Sequence, residues 1–279
     1  MLRFFLTVLL LSTAAASAAA AAKPQRVVSI NLCADQLLMR LADPEQIASL
    51  TYLARDNSMS NLAETARDFQ ANRGLAEEVM RYRPDLVLAG RYTKRVTVDL
   101  LKRIGVTVLE LDVPRTMEEV EAQIRLLGEA LGQEARAERL VGQIAASMKA
   151  AAEEKNASQR PTAIVYEPNG YTVGAGSLID ELLALAGLEN LASEKGMQNY
   201  GRLPLESLVA LSPDVLVVGT PRGLPSLATE LVRHPVLSHM PRPMHIAAVP
   251  PRLWACPGPD MFAAVDILRQ AAAEARARP

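Results

Sequence analysis

The residues best suited to binding chemistry are aromatic and basic side chains that follow short apolar segments of the chain. Aromatic residues make up only 4% of the sequence, yet four of the six tyrosines and the single tryptophan lie in such positions. Flat rings suit contacts with an extended ligand, and guanidinium groups bind carboxylates or phosphates. The candidate ligand-binding residues are Asn31, Cys33, Asp35, Tyr52, Arg55, Arg73, Arg91, Tyr92, Tyr171, Tyr200, Arg202, Arg222, Arg252 and Trp254.

These positions form one site if the strands before them lie in parallel sheets, because ligands of open α/β sheets bind at the carboxyl ends of the strands. Short apolar segments do alternate with helical segments along the chain. Strands spaced by helices are typical of parallel sheets covered on both faces, so we predict the α/β class. The predicted strands are 26–30, 47–52, 86–89 and 107–111 in the first half, and 162–166, 215–218 and 246–249 in the second.

An internal repeat divides this pattern into two similar halves. Residues 77–90 match residues 206–219, with Glu, Pro, Asp and Gly coinciding at one constant offset. In each copy a short helix ends before the proline and a buried strand follows the aspartate. A weaker match joins 38–49 to 182–193 in the same order. The repeat predicts two Rossmann-like lobes of similar build.

A helical segment joins the two halves. Thr116 and Glu119 are typical of a capping box, and apolar residues then recur at helical spacing. Gly128 and Gly132 could break this segment, which leaves open one helix or a broken pair. We predict one long connecting helix. The expected organisation is an N-terminal lobe over 23–115, a connector over 116–156 and a C-terminal lobe over 157–279.

The first 22 residues resemble a secretory signal peptide. A basic start precedes a short apolar run and a series of alanines, and this run is about half the ~20 residues that a membrane span needs. We therefore expect export to the periplasm. The whole chain carries 30 basic and 31 acidic residues and no dense basic block. That balance argues against nucleic acid as a partner.

The chain contains two cysteines, Cys33 and Cys256, at opposite ends of the sequence. An oxidising compartment favours a disulfide between them. Two free thiols, or thiols that face a ligand, are the alternatives. The sequence leaves all three open.

A bare metal ion is not the expected ligand. All three histidines, His234, His239 and His245, occur late in the chain. A zinc or manganese site would gather histidines and carboxylates from both lobes. Haem iron needs only one axial donor, and an oxygen from Tyr52, Tyr92 or Tyr171 could supply it. Haem therefore remains an alternative ligand, with one of these three tyrosines as its axial donor.

The sequence contains no pattern typical of a catalytic site. Residues 174–177 are glycine-rich but lack the spacing of a phosphate-binding loop, and Ser177 suits a helix N-cap. No serine lies in a nucleophile-elbow pattern, and nothing supports Cys33 as a nucleophile. We therefore predict that the protein is not an enzyme.

Five segments carry a resemblance to a known family: 26–31, 83–88, 171–179, 186–190 and 208–217. They resemble the periplasmic binding proteins of iron–siderophore, haem and cobalamin importers, in the same order along the chain. The resemblance implies the helical-backbone fold of that family, with two lobes and a ligand-binding cleft between them. It is strongest for the cobalamin and ferric-siderophore branches.

This resemblance also implies the protein's task and partners. The expected function is capture of a bulky iron–siderophore or cobalamin-type ligand in the periplasm, followed by delivery to the permease dimer of an ABC importer. The protein would act as a monomer and need no cofactor, although the ligand itself could carry iron or cobalt. The alternatives are a haem-binding importer component or, in a different class, a secreted sensor domain or hydrolase.

Permease docking in this family uses one surface glutamate on each lobe. By position those glutamates correspond to Glu77 and Glu206, which the internal repeat superposes. Equal charges in equivalent places on two similar lobes suit a symmetric permease dimer. A purely structural role is the alternative, since glutamates in a first helical turn interact favourably with the helix dipole.

Overall fold

The fold is described from a computed structural model that covers residues 23–153, 160–220, 234–239 and 244–277. The predicted signal peptide, the last residues of the predicted connector, and Arg222 lie outside the described residues. The side chain of His239 does so too.

The N-terminal lobe is built on a parallel sheet of five strands in the order β3-β2-β1-β4-β5. Apolar side chains from one face of the sheet pack against α1, and those from the other face pack against α2 and α3. Both faces are therefore covered, as the apolar strands predicted. The strands are β1 Val27–Ser29, β2 Ile47–Thr51, β3 Ala71–Asn72, β4 Leu86–Gly90 and β5 Val108–Leu111, and the helices are α1 Leu32–Leu41, α2 Ala76–Arg81 and α3 Arg95–Arg103.

The C-terminal lobe has a four-stranded parallel sheet and a separate antiparallel pair, β7 with β9. The sheet strands are β6 Thr162–Val165, β8 Glu189–Asn190, β10 Val215–Gly219 and β11 His245–Val249, in the order β11-β10-β6-β8. The paired strands are β7 Tyr171–Val173 and β9 Tyr200–Arg202. The helices are α6 Leu178–Leu185, α7 Leu191–Glu194, α8 Leu205–Leu211, α9 Pro251–Trp254 and α10 Met261–Arg276.

Short 3-10 turns complete the described elements. They occur at Pro44–Gln46, Tyr52–Arg55, Thr65–Asp68, Pro168–Gly170 and Pro235–His239.

The two sheets share one topology, which accounts for the internal repeat. The order β2-β1-β4-β5 in the first corresponds to β8-β6-β10-β11 in the second. The repeated aspartates also have the same role. Asp85 accepts hydrogen bonds from the backbone N–H groups of Gln25 and Arg26 just before β1, and Asp214 accepts from the N–H and hydroxyl of Thr162 at the start of β6. Each fastens its own strand to the neighbouring one.

The connector is a pair of helices rather than a single helix over 116–156, so the broken pair that the sequence left open is the one observed. Helix α4 spans Met117–Leu131 and α5 spans Glu134–Glu153. Gly132 ends α4 in the left-handed conformation, with φ 63°, which glycine adopts at little cost. The chain then reverses and the two helices pack together so closely that a Cβ on Gly128 would lie 2.4 Å from the Cβ of Ala137. The glycines therefore determine both the break and the tight packing.

Helix α5 runs from one lobe to the other. Near its start, Arg136 donates hydrogen bonds to the carbonyl oxygens of Leu41 and Ala42 in the N-terminal lobe. Near its end, the Ala151 carbonyl accepts from Arg269 in α10 of the C-terminal lobe. These contacts tie each lobe to the same helix.

Candidate ligand-binding cleft

Loops at the carboxyl ends of the strands bring the two lobes together. Tyr92, two residues after β4, and Tyr200, in β9, line one cavity of about 880 Å³. The rest of its lining comes mainly from the end of β5, the turn 112–115 that follows it and the exposed face of α4, with Arg91 and Asn199 beside the two tyrosines. The sequence predicted both tyrosines, and the fold places them in a single cleft between the lobes.

Tyr92 and Tyr200 are the exposed aromatic rings of this cavity. Tyr92 is 85% exposed and Tyr200 is 58% exposed, although both carry large apolar rings. Partial burial of its hydroxyl raises the pKa of Tyr200, and the neighbouring Tyr92 raises it further. The Tyr200 phenol is therefore neutral at physiological pH. Both rings can stack against a ligand, and both hydroxyls can donate a hydrogen bond to it.

Most charged side chains around the cavity form ion pairs with one another. Arg91 pairs with Asp112 at 2.7 Å, and Glu110 pairs with Arg95 at 2.6 Å and Lys102 at 2.5 Å. The Lys102 hydrogen bond and the neighbouring arginine hold the pKa of Glu110 below its usual range. These exposed pairs leave Arg91 less available to a ligand than its sequence position suggests.

Arg115 is one of several cavity residues that the sequence did not predict. Its backbone N–H donates to Glu119, but within the described residues nothing is bonded to its guanidinium. The signal was present, because Arg115 follows the end of β5 by four residues. Pro114 and the charged residues beside it gave no periodic pattern that would have marked Arg115.

Tyr171 and Arg202 lie opposite each other on the β7–β9 pair. The Arg202 guanidinium is 4.8 Å from the centre of the Tyr171 ring and donates a 3.3 Å hydrogen bond to its hydroxyl. Alternation along β9 puts Arg202 on the same face as Tyr200. This predicted pair is therefore adjacent to the cavity rather than part of its lining.

Tyr52 and Arg73 are exposed at the ends of β2 and β3. They lie outside the described cavity lining. Arg55 uses its guanidinium for the carbonyl oxygens of Ala66 and Phe69, so it stabilises its own loop. Asn31 caps α1, accepting from the N–H groups of Cys33 and Ala34, and its side chain packs against Gly90.

Two predicted cleft residues are buried in the lobes instead, so their assignment to the cleft is wrong. Trp254 is 8% exposed and belongs to the main apolar core, because the short helix α9 turns it inward. Asp35 is fully buried beneath β2, where its carboxylate accepts hydrogen bonds from the N–H and hydroxyl of Thr51. Arg252 adjoins Trp254 and offers its carbonyl oxygen to Asn61.

Burial raises the pKa of the Asp35 carboxyl to about 7, against opposing hydrogen bonds from Ser29 and Thr51. The folded protein therefore keeps a proton that the unfolded chain releases near pH 4, so stability falls as the pH rises from about 4 to about 7. We expect about 2–3 kcal/mol less stability at pH 8 than at pH 5 from this group. Chemical denaturation at both pH values measures the difference.

Asp35→Asn should remove most of this pH dependence, since an amide does not titrate. The exposed Asp68→Asn is the control and should leave the dependence unchanged. An equal pH dependence in Asp35→Asn and the parent protein would contradict the assignment.

The two histidine side chains that the structure describes have structural contacts rather than a common site. His245 begins β11 with its Nδ1 3.2 Å from Glu274, and His234 accepts a hydrogen bond from the N–H of Val236. Within the described residues, no group of three histidine, cysteine or carboxylate side chains could hold a metal ion. In the same part of the chain, no helix is long and apolar enough to cross a membrane.

Comparison with known proteins places this architecture in a family. Residues 27–242 match the periplasmic binding protein family across both sheets. The chain belongs to this family. That is a family of binding proteins, which agrees with the prediction of a non-enzyme, and the predicted two-lobed α/β fold is confirmed.

Relatives of this periplasmic binding protein include cobalamin-binding proteins and a lipoprotein. It is 26% identical over 201 residues to the cobalamin-binding protein of Halobacterium salinarum, covering 71% of this chain and 54% of the relative. The chain therefore spans about half the length of that protein. An uncharacterised ABC transporter substrate-binding lipoprotein of Bacillus subtilis is 26% identical over 217 residues, with 75% and 67% covered.

Solved structures show the same fold. The periplasmic heme-binding protein of Roseiflexus sp. RS-1 has a TM-score of 0.74 at 24% identity and covers 90% of this chain and 98% of its own. The vitamin B12-binding protein of Vibrio cholerae has a TM-score of 0.69 at 13% identity, with 92% and 99% covered. At these identities the likeness concerns the fold alone.

Two further features of this periplasmic binding protein lie outside the cavity. Glu77 and Glu206 are exposed in the first turns of α2 and α8, which are equivalent helices in the two lobes. Cys33 and Cys256 form a disulfide, with 4.9 Å between their Cα atoms. The bridge therefore crosses from the N-terminal lobe to the C-terminal lobe.

Proposed function

We propose that the protein is the substrate-binding component of an ABC importer for a bulky iron–siderophore or cobalamin-type ligand. Residues 1–22 would direct it to the periplasm, where it would bind the ligand between the lobes and deliver it to a permease dimer. One observation carries the proposal: in a periplasmic binding protein, exposed tyrosines from opposite lobes line a cavity of about 880 Å³.

The chemistry of the cavity favours a chelate or corrinoid over a bare cation. Its described donors are phenols, guanidinium groups and carboxylates, most of them already paired. Flat exposed rings contribute stacking area to a large ligand, and a volume near 880 Å³ suits one. The similarity to cobalamin-binding proteins supports the corrinoid branch of the proposal.

Haem is the second candidate ligand. An exposed tyrosine can bind ferric iron through its phenol oxygen, and Tyr92 is almost fully exposed at the cavity. Tyr52 and Tyr171 are exposed as well. Haem ligation by tyrosine would give a characteristic absorption spectrum, which the other ligand classes would not.

A thermal-shift screen tests the function. Haemin, cyanocobalamin, and ferric complexes of catecholate and hydroxamate siderophores are each added at increasing concentration. A ligand that binds only the folded state raises the melting temperature with concentration. We expect one class to do so. No shift with any of them, repeated by calorimetry, would reject the proposed function.

Docking to the permease should depend on Glu77 and Glu206. We expect Glu77→Ala combined with Glu206→Ala to lower ligand uptake in cells at least tenfold, because both lobes lose a charge that faces the permease. Ligand affinity of the purified variant should be unchanged. Uptake of labelled ligand and isothermal titration measure the two quantities.

Glu118→Ala with Glu134→Ala is the matched control, since these are also exposed first-turn glutamates. The control should take up ligand normally. Lost affinity in the Glu77/Glu206 variant would instead assign these residues to the binding site. Normal uptake in that variant would show that the two glutamates are not needed for docking, whereas uptake that does not depend on the protein at all would favour a sensor.

A further inference from the structure

One segment of the C-terminal lobe contacts the N-terminal lobe at three evenly spaced points. We call residues 250–260, which join β11 to α10, the strap. The carbonyl oxygen of Arg252 accepts a 2.6 Å hydrogen bond from Asn61, Cys256 is bonded to Cys33, and Asp260 pairs with Arg40 at 2.5 Å. The three contacts are four residues apart along the strap.

The strap is also anchored in its own lobe. Trp254, near the middle of the strap, packs in the apolar core of the C-terminal lobe. Met261, the first residue after the strap, is fully buried. Three prolines within the strap, and one at its start, restrict its backbone. Movement of the C-terminal lobe must therefore move the strap with it.

The contacts to the N-terminal lobe are specific rather than incidental. Arg40 is only 16% exposed in its pair with Asp260, so solvent screens this pair less than a surface one. Asp260 occupies the N-cap position of α10, yet its side chain makes no capping bond there and binds Arg40 instead. Pro259 lies beside Arg136 and Leu140 of α5, so the strap runs along the connector.

We propose that the strap is an inter-lobe clamp whose disulfide holds the two lobes at one separation. Cys33 follows β1 in the first turn of α1, next to the carboxyl edge of the N-terminal sheet, so the bond restrains the cleft itself. Without the bond, the lobes are joined through α5 and non-covalent contacts, and the cleft samples wider openings. A clamped cleft is preorganised for its ligand.

A distance measurement across the cleft tests the clamp without any ligand, so it is independent of the proposed function. Lys94 and Lys195 are exposed in opposite lobes, and each is replaced by p-acetylphenylalanine, which carries a spin label without using cysteine. Pulsed electron resonance then records the distance distribution before and after dithiothreitol, which supplies the two electrons and two protons that convert the bridge into two thiols. Mass spectrometry verifies the reduction.

We expect one narrow distribution in the oxidised protein and at least a twofold wider one after reduction. Cys33→Ser with Cys256→Ser should reproduce the wide distribution, and if that variant does not fold, the reduced and alkylated parent protein answers the same question. An unchanged distribution after verified reduction would overturn the proposal, because the connector and the non-covalent contacts would then be enough to hold the lobes. Unfolding on reduction would overturn it too, since the bridge would then serve folding.

Arg40→Met in the oxidised protein separates the covalent contact from the ionic one. Its distribution should stay narrow, because the disulfide remains. A distribution as wide as that of the reduced protein would assign the restraint to the ion pair and overturn the proposal for the disulfide.

Discussion

Cys33→Ser combined with Cys256→Ser is expected to lower the free energy of unfolding by about 3–5 kcal/mol. The bridge joins residues 223 positions apart, so it restrains a very long loop of the unfolded chain. Loop-closure entropy for such a length gives about 5 kcal/mol, and measured disulfides usually contribute about 2–4 kcal/mol. For a chain of this size the melting temperature should fall on the order of 10 °C. Urea unfolding and calorimetry measure both quantities.

The controls for this prediction break the same disulfide in other ways. Reductant should destabilise the parent protein by the same amount and leave the double variant unaffected. Each single serine variant should equal the double one, because either substitution breaks the bridge. A parent protein whose unfolding is insensitive to verified reduction would contradict the prediction.

Tyr92→Ala combined with Tyr200→Ala should weaken ligand binding more than 100-fold, or about 3 kcal/mol. Each ring offers one face of a cavity shared by the two lobes, and truncating a well-placed aromatic residue typically costs about 1–3 kcal/mol of binding. Both rings are exposed, so the fold should lose little stability. Titration with the ligand identified in the thermal-shift screen measures the affinity.

Two further variants show which part of the tyrosine side chains the ligand contacts and whether the effect is specific to the cleft. Ile246→Ala removes an apolar side chain that is about as exposed as that of Tyr200. It lies near the start of β11, at the end of the sheet away from the cleft, and the variant should bind normally. Tyr92→Phe with Tyr200→Phe keeps the rings but removes the hydroxyls. Binding that survives in this variant indicates stacking, whereas its loss indicates that a phenol oxygen contacts the ligand. Full affinity in the alanine variant would place the ligand elsewhere.

Several site residues could not be assigned from sequence because side-chain direction is a tertiary property. Trp254 follows a strand, as ligand-binding residues do, but the one-turn helix α9 rotates it into the core. Asp35 lies only two residues from Cys33, yet the helix directs its carboxylate toward Thr51. Position along the chain places a residue at the sheet edge, and packing then decides whether it faces the cleft.

The sequence by itself determined the class and the organisation of this protein. Apolar segments of strand length alternate with helical ones, and the Pro-Asp repeat is present because each aspartate fastens the same pair of strands in its own lobe. The sequence also placed Tyr92 just after a parallel strand, where such a sheet binds its ligands. It predicted Tyr200 for the cleft as well, although Tyr200 begins the antiparallel β9 rather than following a strand. These features are local, so local patterns were enough to predict them.

Only the tertiary structure decided how the two lobes meet. The break between the two connector helices depends on Gly132 and on the close contact of Gly128 with Ala137. The partner of Cys33 lies 223 residues away, and the pair of Arg40 and Asp260 is almost as distant in sequence. Such contacts depend on the relative placement of two separately folded sheets, which no local pattern of residues records.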